Sequence, residues 1–126
     1  MARIEGVCRE VCDATEYVTI VTQGPEGPHL AGHWGDYMRI VDPGEVMVFP
    51  IGRFQRTEQN LLANDRIQLM VASRKVQGTR SLGQGCVIDG SGRIDTTGEY
   101  VDMVREKFAW ARGALVVRVR AVSTQL

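Results

Sequence analysis

Aromatic residues and cysteine are scarce in this chain, and neither an excess of one charge nor a long apolar run is present. Only eight of its 126 residues are Phe, Trp or Tyr. Fifteen basic residues balance fifteen acidic ones, for a formal net charge of zero. A nucleic-acid footprint or a membrane-attracted surface carries a basic excess, so neither nucleic acid nor membrane is an expected partner. No run approaches the ~20 apolar residues that span a bilayer. The opening stretch, MARIEGVCREVCDA, lacks the unbroken apolar segment of a signal peptide. A cytoplasmic protein is therefore expected.

The three cysteines are Cys8, Cys12 and Cys86. An odd count without zinc-type spacing argues against a disulfide framework and a structural metal site. They read as reduced core thiols, with a redox pair at Cys8 and Cys12 as the alternative. His29 and His33 lie four apart in an extended stretch, and two ligands without nearby carboxylates are too few for a metal. No nucleophile elbow, HExxH or CxxC is present, so no residue is assigned a catalytic role and no metal is expected.

What is present is a pattern of short elements. The length fits one domain, residues 1–126. Helical spacing of Ile4, Val7, Cys8, Val11 and Cys12 predicts a helix over 3–14. Strands are predicted over 17–22, 28–34, 37–41 and 46–50, with turns at 24–27 and 42–45. Pro50 lacks an N–H, so pairing is expected to stop or shift there. A brief helix follows over 57–64, with Leu61 and Leu62 facing inward. Residues 66–72 alternate into a strand, and glycine-rich 73–85 reads as a loop. Residues 86–89 and 93–96 are strands about a bend or bulge at Gly90–Gly92. Helix 99–110 and strand 114–122 close the chain. About seven strands, with 86–96 taken as one bent strand, and three short helices favour a mainly β fold: a small antiparallel barrel with helices outside or across its gap.

Four features carry candidate chemistry. The stretch VMVFPIGRFQRTEQNLL at 46–62 runs from a strand through Gly52 into a helix that begins near Arg56 and Thr57. Free N–H groups at a helix start, a guanidinium and a hydroxyl suit a phosphate. The same residues also read as an exposed arginine beside an ordinary threonine N-cap. Ser73 and Arg74, with Lys75, follow a strand and suit either a second anion contact or a solvated turn. Trp34 and Tyr37 stand near one strand end, and Trp110 stands at a helix end beside Arg112. Such positions fit a ring-stacking wall or an interface as well as plain packing. His33, next to Trp34, is the histidine placed to line a pocket.

Five segments together resemble one family: TQGPEGPHL at 22–30, Trp34 with Tyr37, PIGRFQRTEQN at 50–60, ASRKVQG at 72–78 and KFAWARGALV at 107–116. They are similar to the FMN-binding split β-barrel proteins related to pyridoxamine 5′-phosphate oxidase, and most to small FMN-binding members from sulfate-reducing bacteria. The resemblance implies a split barrel that forms a two-fold homodimer with FMN near the interface. Arg56 and Thr57 would hold the phosphate; relatives commonly carry lysine at the first position. Gly32, His33 and Trp34 match the strand flanking the flavin. Close relatives have an amide and a hydroxyl residue where this chain has Gly32 and His33, and His33 is a candidate replacement for one of them. Pro50, Ile51 and Gly52 would follow the isoalloxazine edge, and Ser73 and Arg74 would be secondary contacts. Trp110 and Leu126 would come from the partner subunit, with an ordered tail.

The implied function is a dimeric FMN electron-transfer protein whose partner is a redox protein or a small reductant. The alternatives are a flavin-dependent oxidase or reductase and a barrel that has lost its cofactor. The redox chemistry would be the flavin's. Only Arg53 or Arg74 stands where a cation could favour the reduced flavin, so a low reduction potential is expected.

Overall fold

A computed structural model describes residues 2–126. Its elements, in order, are α1 (Gly6–Ala14), β1 (Tyr17–Gly24), β2 (Gly27–Trp34), a 3-10 turn (Gly35–Tyr37), β3 (Arg39–Val41), β4 (Val46–Ile51), α2 (Gln55–Ala63), β5 (Arg66–Gln77), β6 (Leu82–Asp95), α3 (Glu99–Arg105) and β7 (Gly113–Thr124). The seven strands form one antiparallel sheet in the order β2-β1-β5-β6-β7-β4-β3. The two edge strands, β2 and β3, are neighbours in sequence, joined by the 3-10 turn. The backbone ladder stays open between them, which makes the barrel a split one.

Alternation places the core. Val18 and Ile20 of β1, Met47, Phe49 and Ile51 of β4, Ile67, Leu69 and Val71 of β5, and Leu115, Val117 and Val119 of β7 all point into one buried cluster. Ile4, Cys8, Val11 and Cys12 close the same cluster through α1. Each such side chain stabilises the fold by roughly 1.5–3 kcal/mol if fully buried. On the opposite face, Val48, Ala114 and Val116 pack against Val101, Val104 and Phe108 from α3 and the turn after it. Both faces of β4 and β7 are therefore covered, which is why VMVFPI is apolar without a break.

The cysteines are free and buried. Burial pushes the Cys12 thiol up to about 12, which removes the thiolate a redox or nucleophilic role needs. Cys8 has Cys86, not Cys12, as its close thiol neighbour, at 2.6 Å.

The structure differs from the sequence-based expectation in several elements. Residues 73–85 are not a loop. β5 runs on to Gln77 and β6 starts at Leu82, so only a short turn separates them, with the register shifting between Ser73 and Gln77. Val76 stays buried, and a side-chain carbon on Gly85 would sit tightly, 3.3 Å from the Val71 carbonyl oxygen. Gly83 takes φ 122°, which favours glycine, and a carbon on Gly78 in the turn would collide with the Gly83 carbonyl. The bend expected at Gly90–Gly92 lies inside a continuous β6, and the register shift comes between Asp89 and Gly90 opposite β7. Leu61 is buried, whereas Leu62 is 84% exposed, because one helical step of about 100° turns it away. α3 ends at Arg105 rather than residue 110. The Arg105 guanidinium donates to the Ala111 and Arg112 carbonyls (2.8 and 3.1 Å) and holds the following turn folded back.

Pro50 stops pairing on one side only. β3 pairs with β4 no further than Val48, while β7 pairs through Ile51. The side of Pro50 without an N–H faces the split, where its carbonyl meets His33.

Candidate functional site

The split in the barrel is where the candidate residues gather. A cleft of about 450 Å³ is lined by Tyr17, Gly32, His33, Trp34 and Tyr37 on one side and by Gly52, Arg53, Phe54 and Trp110 on the other. Clefts of this size and apolar character suit small ligands. The Trp34 and Trp110 indoles are about half exposed (52% and 54%). Tyr37 is held from behind by Phe108, at 4.6 Å between ring centroids, and stands 6.2 Å from Trp110. The Gly52 backbone lies against the Trp110 ring, where a side-chain carbon would make ordinary contact at 3.6 Å. These rings form a wall for a flat group.

Trp110 reaches this wall within one chain. The turn after α3 lays it beside Gly52 and Tyr37 of the same copy.

His33 is fixed by both ring nitrogens. The Trp34 N–H donates to its Nδ1 (2.9 Å), so Nε2 carries the hydrogen and donates to the Pro50 carbonyl (2.6 Å). Burial lowers its pKa from the ordinary 6.5, with the Pro50 bond and nearby Asp36 opposing. His33 is therefore a neutral clamp across the split, with neither nitrogen left for a ligand. Pro50 and Ile51 are buried beneath the cleft and shape it without lining it.

From Gly52 the backbone leads to the start of α2. Phe54 is the N-cap residue, in the left-handed region at φ 62°, and contributes no capping hydrogen bond. The first N–H groups of α2 are thus left without a side-chain acceptor, an arrangement that suits an anion. Arg56, in the first turn, is exposed and lines a second cleft of about 650 Å³ with Gln23–Glu26, Gln59 and Asn60. Thr57 is not an N-cap: it lies inside α2 and is 1% exposed. Nearby, the buried Asn60 amide donates to the Thr22 hydroxyl (3.0 Å), which ties α2 to β1.

One arginine holds this connection together. Arg112 donates from Nε to the Gly52 carbonyl (2.8 Å), from Nη2 to the Arg53 carbonyl, and from Nη2 to Glu58 of α2 (2.9 Å). Its own N–H donates to the Ile51 carbonyl (2.9 Å).

Arg74 and Leu126 lie elsewhere. They line a third cleft of about 670 Å³ with Thr79–Gly83 and Gln125. The tail is ordered as expected: the Leu126 N–H donates to Gln84 (2.7 Å), and its carbonyl accepts from the Thr79 hydroxyl (2.7 Å). Ser73 lines none of these clefts; its hydroxyl accepts from the Lys75 N–H (3.1 Å) inside β5. Within one chain the structure brings together Gly32, His33, Trp34, Tyr37, Gly52 and Trp110, and leaves Ser73, Arg74 and Leu126 apart.

Sequence reasoning missed Tyr17, Phe54, Arg105 and Arg112 as parts of the site. A hairpin register counted outward from the turn between Gly24 and Gly27 would have put Tyr17 opposite Trp34. Nothing local marks the three others, because their roles rest on backbone contacts distant in sequence. Among the described residues no group of three or more His, Cys, Asp or Glu is placed to hold a metal. Among the described residues no helix is long and apolar enough to cross a membrane.

Comparisons with known proteins agree with this fold. The pyridoxamine 5′-phosphate oxidase family profile matches residues 4–125. An FMN-binding protein of Nitratidesulfovibrio vulgaris (strain Miyazaki F) is 37% identical over 116 residues, covering 92% of this chain and 93% of the relative. Among solved structures, a HupZ variant from Group A Streptococcus superposes with a TM-score of 0.79 at 16% identity, over 97% of this chain and 99% of that one. An FMN-binding protein from Syntrophomonas wolfei superposes with a TM-score of 0.68 at 11% identity, over 94% and 83%. At such low identity the superpositions speak for the fold alone, whereas the profile match and the 37% identical relative span nearly the whole sequence. The chain belongs to the pyridoxamine 5′-phosphate oxidase family.

Proposed function

We propose that this protein binds FMN in the split of its barrel and, as a homodimer, passes electrons between the flavin and another redox protein or a small reductant. The observation that carries the reading is the chain connection: Gly52, Arg53 and Phe54 of the aromatic-walled cleft run directly into the uncapped start of α2, where Arg56 lines the second cleft. FMN needs both a slot for a flat ring and an anchor for a phosphate. The name of the 37% identical relative supports the same cofactor. When bound, FMN supplies the redox chemistry. The chain's own residues orient it: the rings enclose one part, Arg56 and the first α2 N–H groups meet the anion, and the His33 clamp holds the split at a fixed width.

Homodimer formation is part of the proposal. Arg74 and Leu126 lie in a different cleft from Trp34, so they join the flavin site only if a second copy presents them.

The test is an absorption spectrum before and after FMN addition, followed by titration and sedimentation. The expected result is one FMN per chain, quenched flavin fluorescence and a dimer. A protein that takes up no FMN sinks the reading in favour of a barrel without cofactor. The family name and the half-exposed indoles favour a second reading, a flavin-dependent oxidase or reductase with room for a substrate. Steady-state turnover of pyridoxamine phosphate or NADH by the FMN-loaded protein would replace electron transfer with that activity.

A further inference from the structure

We propose that Tyr17 gives the flavin ring a hydrogen bond from β1, through a gap in β2 that Gly32 keeps open. The inference rests on the flavin reading above and adds a binding residue to it.

The hairpin register pairs Tyr17 with Trp34 and Thr19 with Gly32. Directly paired residues share a face of the sheet, so Tyr17, Gly32 and Trp34 all look into the cleft. The phenol ring meets the Trp34 indole edge-on, with centroids 5.7 Å apart and planes at 76°. From there it leans along the strand over Gly32. A side-chain carbon on residue 32 would overlap the Tyr17 hydroxyl oxygen, so any residue but glycine would displace the phenol. The Tyr17 hydroxyl thus stands where a side chain on residue 32 would begin.

Aromatic cover of an edge-strand glycine is a known packing device. It accounts for the ring but not for the hydroxyl, since phenylalanine would cover Gly32 as well. Tyr17 is 51% exposed, and among the described residues its hydroxyl neither donates to nor accepts from any other group. The polar side chain that β2 contributes to the cleft is committed, because both His33 nitrogens are bonded within the protein. Tyr17 therefore places a free donor and acceptor beside the indole wall. A hydroxyl in that place would meet the polar edge of a ring lying on the wall.

Tyr17→Phe isolates the hydroxyl, because it keeps the ring over Gly32 and against Trp34. Dissociation constants of FMN, riboflavin and lumiflavin are compared for the wild type, Tyr17→Phe, Gly32→Ala and Trp34→Ala. Loss of one neutral hydrogen bond weakens binding roughly two- to tenfold. Tyr17→Phe should show that loss for all three flavins, with an unchanged FMN-to-riboflavin ratio, a shifted visible absorption band and an unchanged melting temperature. Gly32→Ala, by moving the phenol, should weaken all three at least as much. Wild-type affinity for all three in either variant overturns the proposal, and so does a loss confined to FMN. If the wild type binds flavin and only Trp34→Ala weakens it, this inference fails while the flavin site stands. A wild type that binds none of the three overturns both.

Discussion

The His33 Nε2 donates to the Pro50 carbonyl at 2.6 Å, and this bond spans the split between β2 and β4 where no backbone ladder runs. The proline leaves no N–H on that side of β4, so the carbonyl is offered without a competing strand. The histidine spends its other nitrogen on the Trp34 N–H. One side chain therefore sets both the width of the cleft and the backbone position of the indole that lines it.

This clamp makes stability depend on pH. Burial lowers the pKa of His33 below its ordinary 6.5, so the folded state resists the proton that the unfolded chain accepts. Above about pH 6.5 the imidazole is neutral in both states, and its contribution is fully present. As pH falls below that value the unfolded state binds the extra proton and stability declines, until the pH reaches the folded pKa. The slope from this group is at most about 1.4 kcal/mol per pH unit. Chemical denaturation from about pH 7 to 5 should show the decline, and His33→Phe should flatten it. A full decline in the variant would mean that another group titrates.

The phosphate anchor can be tested by comparing two ligands. Arg56 is exposed, so its pairing with a phosphate belongs at the low end of the range for charged hydrogen bonds, about 1.5 kcal/mol. Arg56→Ala is expected to weaken FMN binding by that amount and riboflavin binding far less. The gap should narrow in high salt. Equal losses for both ligands would remove Arg56 from the site.

Much of this was legible before any coordinates. Alternation at Ile67, Leu69 and Val71 marked a strand with one buried face, and the apolar run ending at Pro50 marked another. Trp34, Tyr37, Gly52 and Arg56 stood out because their types suit a flat, anionic ligand. What escaped depended on contacts between distant residues. Gly83 and Gly85 looked like loop residues, because only the fold reveals the positive φ at Gly83 and the Val71 carbonyl packed against Gly85. Trp110 could be assigned to a wall, but not the fold of the turn that carries it, which depends on Arg105 reaching two carbonyls. Tyr17 was read as strand propensity alone, although its register partner was countable from the hairpin.

Trp110 supplies a prediction that separates stacking from anchoring. Its indole lines the cleft with Trp34, whereas Arg56 lines another. Trp110→Ala should raise the fluorescence of bound flavin and shift its potential, while the FMN-to-riboflavin affinity ratio stays constant. Unchanged emission would mean the ring lies out of reach of Trp110.

Arg112 acts through the backbone, and its test has to distinguish position from charge. It holds the carbonyls of Gly52 and Arg53 and pairs with Glu58, which fixes the turn that carries Arg53 and Phe54 into the cleft. Arg112→Lys keeps a positive charge but cannot fork to two carbonyls and a carboxylate. Leaving these acceptors poorly paired should cost about 1–3 kcal/mol of stability. Flavin affinity should fall for FMN and riboflavin together, since the whole turn moves. Glu58→Gln removes only the ion pair, which is partly exposed at 32% and 30% for the two side chains, and should cost about 0.5 kcal/mol. If both variants lose the same small amount of stability and bind flavin normally, the carbonyl contacts do not hold the turn, and the uncapped start of α2 must be positioned by the Asn60–Thr22 bond instead.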